Sequence, residues 1–344
     1  MNKLSVCVLF GGVSSEHEVS LISVKGIIDN LNKDKYTVYP VGITKQGEWL
    51  MYTGDTEGIP SGKWLEEGKK AIISPDRKDG GLITDQGIIK IDVVLIALHG
   101  KNGEDGTIQG LLEIAGLKYT GAGVMSSALS MDKAMTKVFL NGFGIPQADC
   151  VIFMKHMPDD YAGQVESKFT YPVFVKPSNG GSSCGAYKVN NRDELTNAVK
   201  SAFEYDSKVM VEEYIDAYEV ECGILGNDDI SAGSLSKIVI ESETYDYDTK
   251  YTPGMAINEI PAKISPEQTR EITETAKKIY NYLDVSGYAR VDFFVEKSTG
   301  RVLFNEINTL PGFTPCSAYP GMWADKGVSY DRLLDRIIQL AVTK

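Results

Sequence analysis

No two cysteines in this 344-residue chain stand in a CxxC spacing. The five that occur, Cys7, Cys150, Cys184, Cys222 and Cys316, are scattered and odd in number, so neither a zinc site nor a disulfide framework is indicated. No run of about 18 apolar residues occurs, which leaves no candidate membrane-spanning helix. The opening MNKLSVCVLFGG carries one lysine and a short apolar run with no cleavage-like site after it, and reads as a first β-strand rather than a signal peptide. Positive charge is in deficit: 35 Lys and Arg against 47 Asp and Glu give a formal net charge of −12, which argues against the broad basic footprint of a nucleic-acid binder. A GxGxxG dinucleotide fingerprint and a GxxxxGK[ST] P-loop are both missing. Internal repeats and low-complexity tracts are missing too. A cytoplasmic protein without nucleic-acid or membrane partners is expected.

What is present is ordinary in bulk, with 42% hydrophobic and 24% charged residues, and the length suggests two or three domains. Leu4 to Phe10 is an apolar run of strand length, turned by Gly11-Gly12. Ser15 and Glu18 have capping-box spacing for a helix start. Strand, glycine turn and helix N-terminus make a site for an anion or small ligand. Glu16 there suits a cationic group such as an amine; equally, Glu16 and Glu18 complement the helix dipole. Tyr36 to Ile43 reads as a second strand, and a loop-rich passage follows. Ile91 to Leu98 is a continuous apolar run, hence a buried parallel strand. It ends in the Gly-rich loop His99 to Gly106, before a helix over Thr107 to Ala115. Polar side chains again gather at the C-terminal end of a strand, where open α/β sheets bind ligands. His99 is either a ligand-positioning group or a packing residue. Gly121-Ala122-Gly123 marks a boundary.

Further along, Ser127 to Leu140 reads as one helix, Cys150 to Phe153 as a strand, and Pro158 to Glu166 as a linker. Tyr171 to Val189 reads as strand, Gly/Ser-rich loop, strand. A flap of this kind brings bare backbone N–H groups to phosphate oxygens, and Lys176 on the incoming strand adds a point charge; the alternative is a flexible hairpin loop. Val209 to Ile215 is a strand leading to a bend at Asp216-Ala217, where an acid and free backbone groups suit an adenine edge; any strand end would look similar. Tyr245 to Gly254 is polar, aromatic and irregular, in the manner of a lid loop. Glu267 to Leu283 and Asp331 to Val342 are helical.

Between those helices lies a hairpin, Arg290 to Asn308, turned at Ser298-Thr299-Gly300. Asp292 and Glu306 are each seven residues from Thr299, so they are expected to face each other across the strands. Facing carboxylates repel unless a cation lies between them. Asn308 shares the face of Glu306, and Arg290 that of Asp292. Three hard oxygen ligands suit Mg²⁺, completed by phosphate and water; a solvated surface hairpin is the plainer alternative.

In combination, the motifs GGVSSEHEVS, LHGKNGEDGTIQG, SMDK, FVKPSNGGSSCG, VEEYI, YDYDTKY, ARVDFF and FNEINTLPGFT resemble those of the D-alanine–D-alanine ligases, within the ATP-grasp family. The resemblance covers nearly the whole chain. It implies an α/β fold, α+β in the ATP-grasp part, with three domains: an N-terminal parallel α/β domain (1–122), a central subdomain with the phosphate flap (123–213) and a C-terminal subdomain with lid and Mg²⁺ site (214–344). It implies ATP-dependent joining of two D-alanines through an acyl phosphate, for peptidoglycan precursor synthesis, in a homodimer. Carried over by position, Lys133 and Lys176 meet the ATP phosphates, with Ser182, Ser183 and the rest of the flap to Gly185 over them, and Lys250 joins the ATP site from the lid. Glu212, Tyr214, Ile215 and Glu219 hold adenine and ribose. Asp292, Glu306 and Asn308 bind two Mg²⁺, or Mn²⁺ in their place. Glu16 meets the ammonium of the first D-alanine, with His99 close by. Tyr251 closes the lid with Ser182 and Glu16, and Arg290 and the Gly312 N–H stabilise the oxyanion. Ser317 and Ala318 form the second-substrate pocket.

One departure stands beside that pocket. After PGFT the chain reads Pro315-Cys316-Ser317-Ala318, where the family more often has Ser-His-Ser and a larger apolar residue. D-serine as second substrate is therefore the near alternative. A non-catalytic nucleotide-binding module on this fold would be expected to lose part of the metal or lysine set, which is complete here.

Overall fold

The run VCVLF supplies five consecutive buried residues to β1 (Leu4–Gly11), a pattern reserved for a strand covered on both faces. The computed structural model describes residues 3–157, 160–181, 185–240 and 256–344. Within them β1 leads through a glycine turn to α1 (His17–Asn30), then β2 (Tyr36–Ile43). Gly11 holds φ at +82°, and a Cβ there would collide with the Ile43 carbonyl, so the turn requires glycine. Next come β3 (Trp49–Met51), α2 (Lys63–Glu67), β4 (Lys69–Ile73), β5 (Gly81–Thr84), β6 (Gly87–Lys90), β7 (Val93–Ile96) and α3 (Thr107–Ala115). The sheet order is β6-β5-β4-β3-β2-β1-β7. Only β2-β1-β7 are parallel; the rest is an antiparallel meander built from the passage expected to be loop-rich. Its strands are three to five residues long and partly exposed, too short to show a clear period.

The expected helix over Ser127 to Leu140 is two, α4 (Val124–Met131) and α5 (Lys133–Asn141). Asp132 breaks it by leaving helical geometry and capping α5 through the Met135 N–H. The second sheet holds β8 (Cys150–Met154), β9 (Val173–Pro177), β10 (Tyr187–Val189) and β11 (Lys208–Glu213), in order β10-β9-β11-β8. Helices α6 (Tyr161–Glu166) and α7 (Arg192–Ala202) cover it. Asp160 caps α6, so part of the expected linker is helical.

The third sheet is β14-β13-β12-β15-β16, all antiparallel: β12 (Ala217–Gly226), β13 (Ser231–Ile240), β14 (Ala256–Glu259), β15 (Gly287–Glu296) and β16 (Val302–Asn308). Helix α8 (Pro266–Tyr282), opened by a Ser265–Gln268 capping box, packs on one face. The chain closes with α9 (Ala318–Asp325) and α10 (Tyr330–Thr343). The apolar stripe of α10, Leu333, Leu334, Ile337, Ile338 and Ala341, joins the core of the first sheet. Lys35 and Tyr36 bond to Asp335 across nearly the full length of the sequence. No described helix is long and apolar enough to cross a membrane.

Candidate active site

The β15–β16 register pairs Asp292 with Glu306 and Arg290 with Asn308. These four side chains share the sheet face opposite the α8 core, because Val291, Phe293 and Ile307 point into that core. The pairing depends on a β-bulge. The ladder nearest the turn matches Val295 with Val302 and Phe293 with Phe304, then shifts by one residue at Asn305. Asn305 and Glu306 both reach the site: Lys176 Nζ donates to Asn305 Oδ1 at 3.4 Å, and Lys133 Nζ lies 3.3 Å from Glu306 Oε2.

Arg290 grips Asp292 with both ends of its fork, Nε to Oδ1 and Nη2 to Oδ2, each at 2.7 Å. Asn308 Nδ2 adds a 2.9 Å bond to Asp292 Oδ2. Burial pushes the Asp292 carboxyl up to about 7 against the pull of Arg290, and the charges of Glu221 and Glu306 add to the rise. Each acid of the facing pair thus has a cationic partner. Among the described residues no three His, Cys, Asp or Glu side chains form a metal cluster. The donor set fits a hard cation all the same: two carboxylates and an amide oxygen, on a face that already draws positive charge to both acids.

The second sheet and α5 supply the lysines. Glu212 on β11 is buried between Lys137 and Lys176; the Lys176 contact is 2.6 Å. Burial opposes ionisation of Glu212, but the two ammonium groups outweigh it and hold its carboxyl below the usual range. Burial disfavours the Lys176 ammonium, and Glu212, followed by Glu306 and Glu219, more than reverses this. Lys137 was not anticipated from the sequence, although it lies one helical turn beyond Lys133 on α5. Tyr214 and Ile215 connect β11 to β12 with no backbone partner among the described residues, and Lys188 sits 4.1 Å over the Tyr214 ring. Glu219, two residues before Glu221 on β12, shares the face of Asp292.

The flap base meets the first sheet. Lys133 Nζ donates to the Gly180 carbonyl at 2.6 Å, and Asp132 and Asn179 form an isolated bridge. Glu16 ends the glycine turn after β1 as the N-cap position of α1. The Ser15–Glu18 capping box does not form: Ser14 Oγ accepts from the Glu16 N–H, and Glu18 pairs with Lys45. The Glu16 carboxylate lies between two glycines; a Cβ on Gly100 or Gly181 would stand 2.6 or 2.5 Å from Oε2. Replacing Gly181 with alanine should therefore displace the Glu16 carboxylate without disturbing a core. On the role expected from the sequence for Glu16, holding a cationic group such as an amine, the KM of the amine ligand should rise about tenfold through one misplaced charge-assisted bond, with an unchanged melting temperature. Steady-state kinetics and calorimetry check this.

His99, 7% exposed, has Nε2 3.2 Å from Ser23 Oγ and Nδ1 3.7 Å from Glu104. Burial works against its charged form, but Glu104 and then Glu16 raise its pKa above the ordinary value. At the far end, Ser317 Oγ accepts from the Thr314 N–H at 3.0 Å and lies 2.8 Å from Thr314 Oγ1. A Cβ on Gly312 would come within 2.7 Å of that hydroxyl, and Ala318 opens α9. Asn258 on β14 donates to the Cys316 carbonyl at 2.9 Å. Ser182, Ser183, Lys250 and Tyr251 lie outside the described residues.

Glu16 thus follows a strand of the first sheet, Lys176 stands on the second and Arg290, Asp292, Glu306 and Asn308 on the third, with Lys133 of α5 reaching Gly180 and Glu306. Family models described as the D-ala D-ala ligase N-terminus and C-terminus match residues 5–122 and 139–339. The chain belongs to the D-alanine–D-alanine ligase family. Its three-sheet architecture is that of the ATP-grasp ligases. The D-alanine–D-alanine ligase of Caldicellulosiruptor bescii is 46% identical over 100% of this chain and 96% of its own. Among solved structures, the VanG D-Ala:D-Ser ligase from Enterococcus faecalis superposes with a TM-score of 0.92 at 40% identity, covering 99% of this chain and 100% of that one. The D-alanine–D-alanine ligase from Bacillus anthracis complexed with ATP gives a TM-score of 0.76 at 30% identity, covering 99% and 98%.

Proposed function

We propose that this ligase joins two D-alanines into D-alanyl-D-alanine, using ATP and releasing ADP and phosphate. The observation that carries the reading is the paired row Asp292–Glu306 with Lys133 and Lys176 against it, a ready-made seat for a metal–triphosphate. The full-length likeness to D-alanine–D-alanine ligases and to a relative solved with ATP supports it.

A carboxylate is a poor electrophile at neutral pH. Transfer of the γ-phosphoryl group to an oxygen of the first D-alanine carboxylate makes an acyl phosphate and frees ADP. Lys133 and Lys176 neutralise phosphate charge, and Tyr214 and Ile215 offer backbone groups to the adenine edge, with Glu219 at the ribose. Glu212 acts through Lys176, whose ammonium it keeps charged and placed. Asp292, Glu306 and the Asn308 amide oxygen would hold Mg²⁺, or Mn²⁺, a hard cation that would screen phosphate charge there. Asn308 must turn its amide for this, since its nitrogen now donates to Asp292. Glu16 takes the first ammonium, with His99 behind it. The second amine then attacks the acyl carbon, the C–O bond to phosphate breaks, and the amine's proton leaves with the departing phosphate. Arg290 and the Gly312 N–H stabilise the tetrahedral oxyanion, and Ser317 at the start of α9 receives the second carboxylate, next to Ala318. Ser182, Ser183, Lys250 and Tyr251 complete the enclosure in this reading, which keeps water from the acyl phosphate.

Incubation with ATP, Mg²⁺ and D-alanine as the only amino acid should release ADP and form the dipeptide. Its absence at saturating metal would sink the proposal. One observation favours D-serine as second substrate: the structural likeness to the D-Ala:D-Ser ligase, together with the Pro315-Cys316-Ser317 departure. Mass spectrometry of dipeptides formed under D-Ala/D-Ser competition separates the two. The reading extends to a cytoplasmic homodimer with domains 1–122, 123–213 and 214–344. Three separate sheets and core clusters support that division, although α10 packs on the first core.

A further inference from the structure

Glu221 on β12 stands opposite Asp292, which stands opposite Glu306, so three carboxylates form a row across adjacent strands. The reading above uses only two of them. Glu221 is 5% exposed, and its Oε1 lies 3.1 Å from Arg290 Nε, the same nitrogen that donates to Asp292 Oδ1. One N–H cannot serve both acceptors fully. The second Glu221 oxygen, Oε2, is buried with no hydrogen-bond partner among the described residues, and the Ser236 hydroxyl in the cross-strand position on β13 is equally unpartnered. A buried carboxylate with an idle oxygen is costly, and its position beside a guanidinium calls for a second arrangement in which that oxygen is used.

We propose that Glu221 is a positioning residue that takes over the Arg290 guanidinium when Asp292 is engaged by a metal ion. The proposal rests on the roles assigned above to Arg290 and Asp292. Arg290 keeps its charge under all relevant conditions, and a buried guanidinium needs a carboxylate at every stage. In the arrangement seen, Asp292 meets that need with two bonds and Glu221 has one oxygen in range. With Asp292 turned to metal, the two oxygens of Glu221 match the parallel N–H groups of the fork. Arg290 then stays charged, ordered and aimed, with its remaining N–H groups available to the developing oxyanion. Without Glu221, Arg290 either keeps hold of Asp292 and competes with the metal, or lets go and loses its aim.

The test uses the full chain with Glu221→Gln, read in two ways. Mn²⁺ titrated into the protein with ADP, with free metal followed by electron paramagnetic resonance, should bind at least about threefold more weakly. The kcat should fall about ten- to hundredfold, with the KM for ATP nearly unchanged, less than the loss of a whole oxyanion donor. In an Arg290→Met background the same substitution should slow turnover no further. Wild-type Mn²⁺ affinity, or an equal slowing in the Arg290→Met protein, overturns the proposal. Should Glu221→Gln fail to fold, Glu221→Asp, which retains the charge one methylene short, carries the same two readouts. Arg290→Met and Asp292→Asn made singly separate the layers. Wild-type rates in both would remove the underlying reading, whereas slow rates there with an unaffected Glu221→Gln would remove only the hand-over.

Discussion

Glu306→Gln lowers the rate of ADP release by about a thousandfold, near 4 kcal/mol of transition-state stabilisation, while the protein stays folded. The two halves of that expectation have the same cause. Glu306 faces Asp292 across the strands, with Glu221 on the far side, so the row carries more negative charge than Arg290 and Lys133 balance. Removing one charge relieves repulsion in the empty protein, and the melting temperature should hold or rise. The same charge is the one a metal–nucleotide complex needs, and an amide oxygen is a far weaker ligand for a hard cation. Coupled ADP assays and calorimetry on the same preparation check both halves. Near-normal turnover in this variant would overturn the metal assignment.

Glu212→Ala acts on stability instead, with an expected loss of about 3–5 kcal/mol, because it strands two buried ammonium groups. Among the described residues Lys137 keeps a hydrogen bond to the Ala148 carbonyl, at 3.0 Å, and Lys176 keeps one to Asn305 and the more distant charges of Glu306 and Glu219. The pH dependence distinguishes this from a simple cavity. In the variant, burial of Lys176 is no longer opposed by Glu212, so its folded pKa should drop, the unfolded chain should bind more protons and stability should rise with pH. The deficit should shrink as pH climbs from about 8 toward 10, where the stranded Lys176 can discharge. In the wild type the depressed Glu212 pKa works the other way: its contribution is present above the unfolded carboxylate pKa and fades as pH falls through the folded value. Urea unfolding at several pH values reads both slopes. A deficit independent of pH would mean that Glu212 only fills space.

How much of this was legible in the sequence varies by element, for physical reasons. The long apolar runs of β1 and β7 and the stripes of α8 and α10 announce themselves, because burial on two faces or one stripe leaves a period. The facing of Asp292 and Glu306 was also legible, though by a fortunate route. Counting from Thr299 gives the right partners only because the Asn305 bulge adds the one residue by which the tight end of the hairpin is offset. The meander at 49–90 was not legible, since strands this short are held by neighbours distant in sequence. The break at Asp132 was hidden because its reasons, Ser178 and Lys208, arrive dozens of residues later. Lys137 and Glu221 were overlooked for a similar reason: each repeats, at helix or strand spacing, a residue already given a role, and only tertiary contacts show that it has one of its own.

The position of α10 has a consequence for how the chain is made. The core of the first sheet includes residues from the last fourteen-residue helix, and Asp335 is tied to Lys35 and Tyr36. A ribosome delivers the N-terminal strands first, yet the helix that covers part of them is made about 300 residues later. The core around the first sheet is therefore completed only after the other two sheets have been synthesised, so the chain does not mature as beads completed in turn.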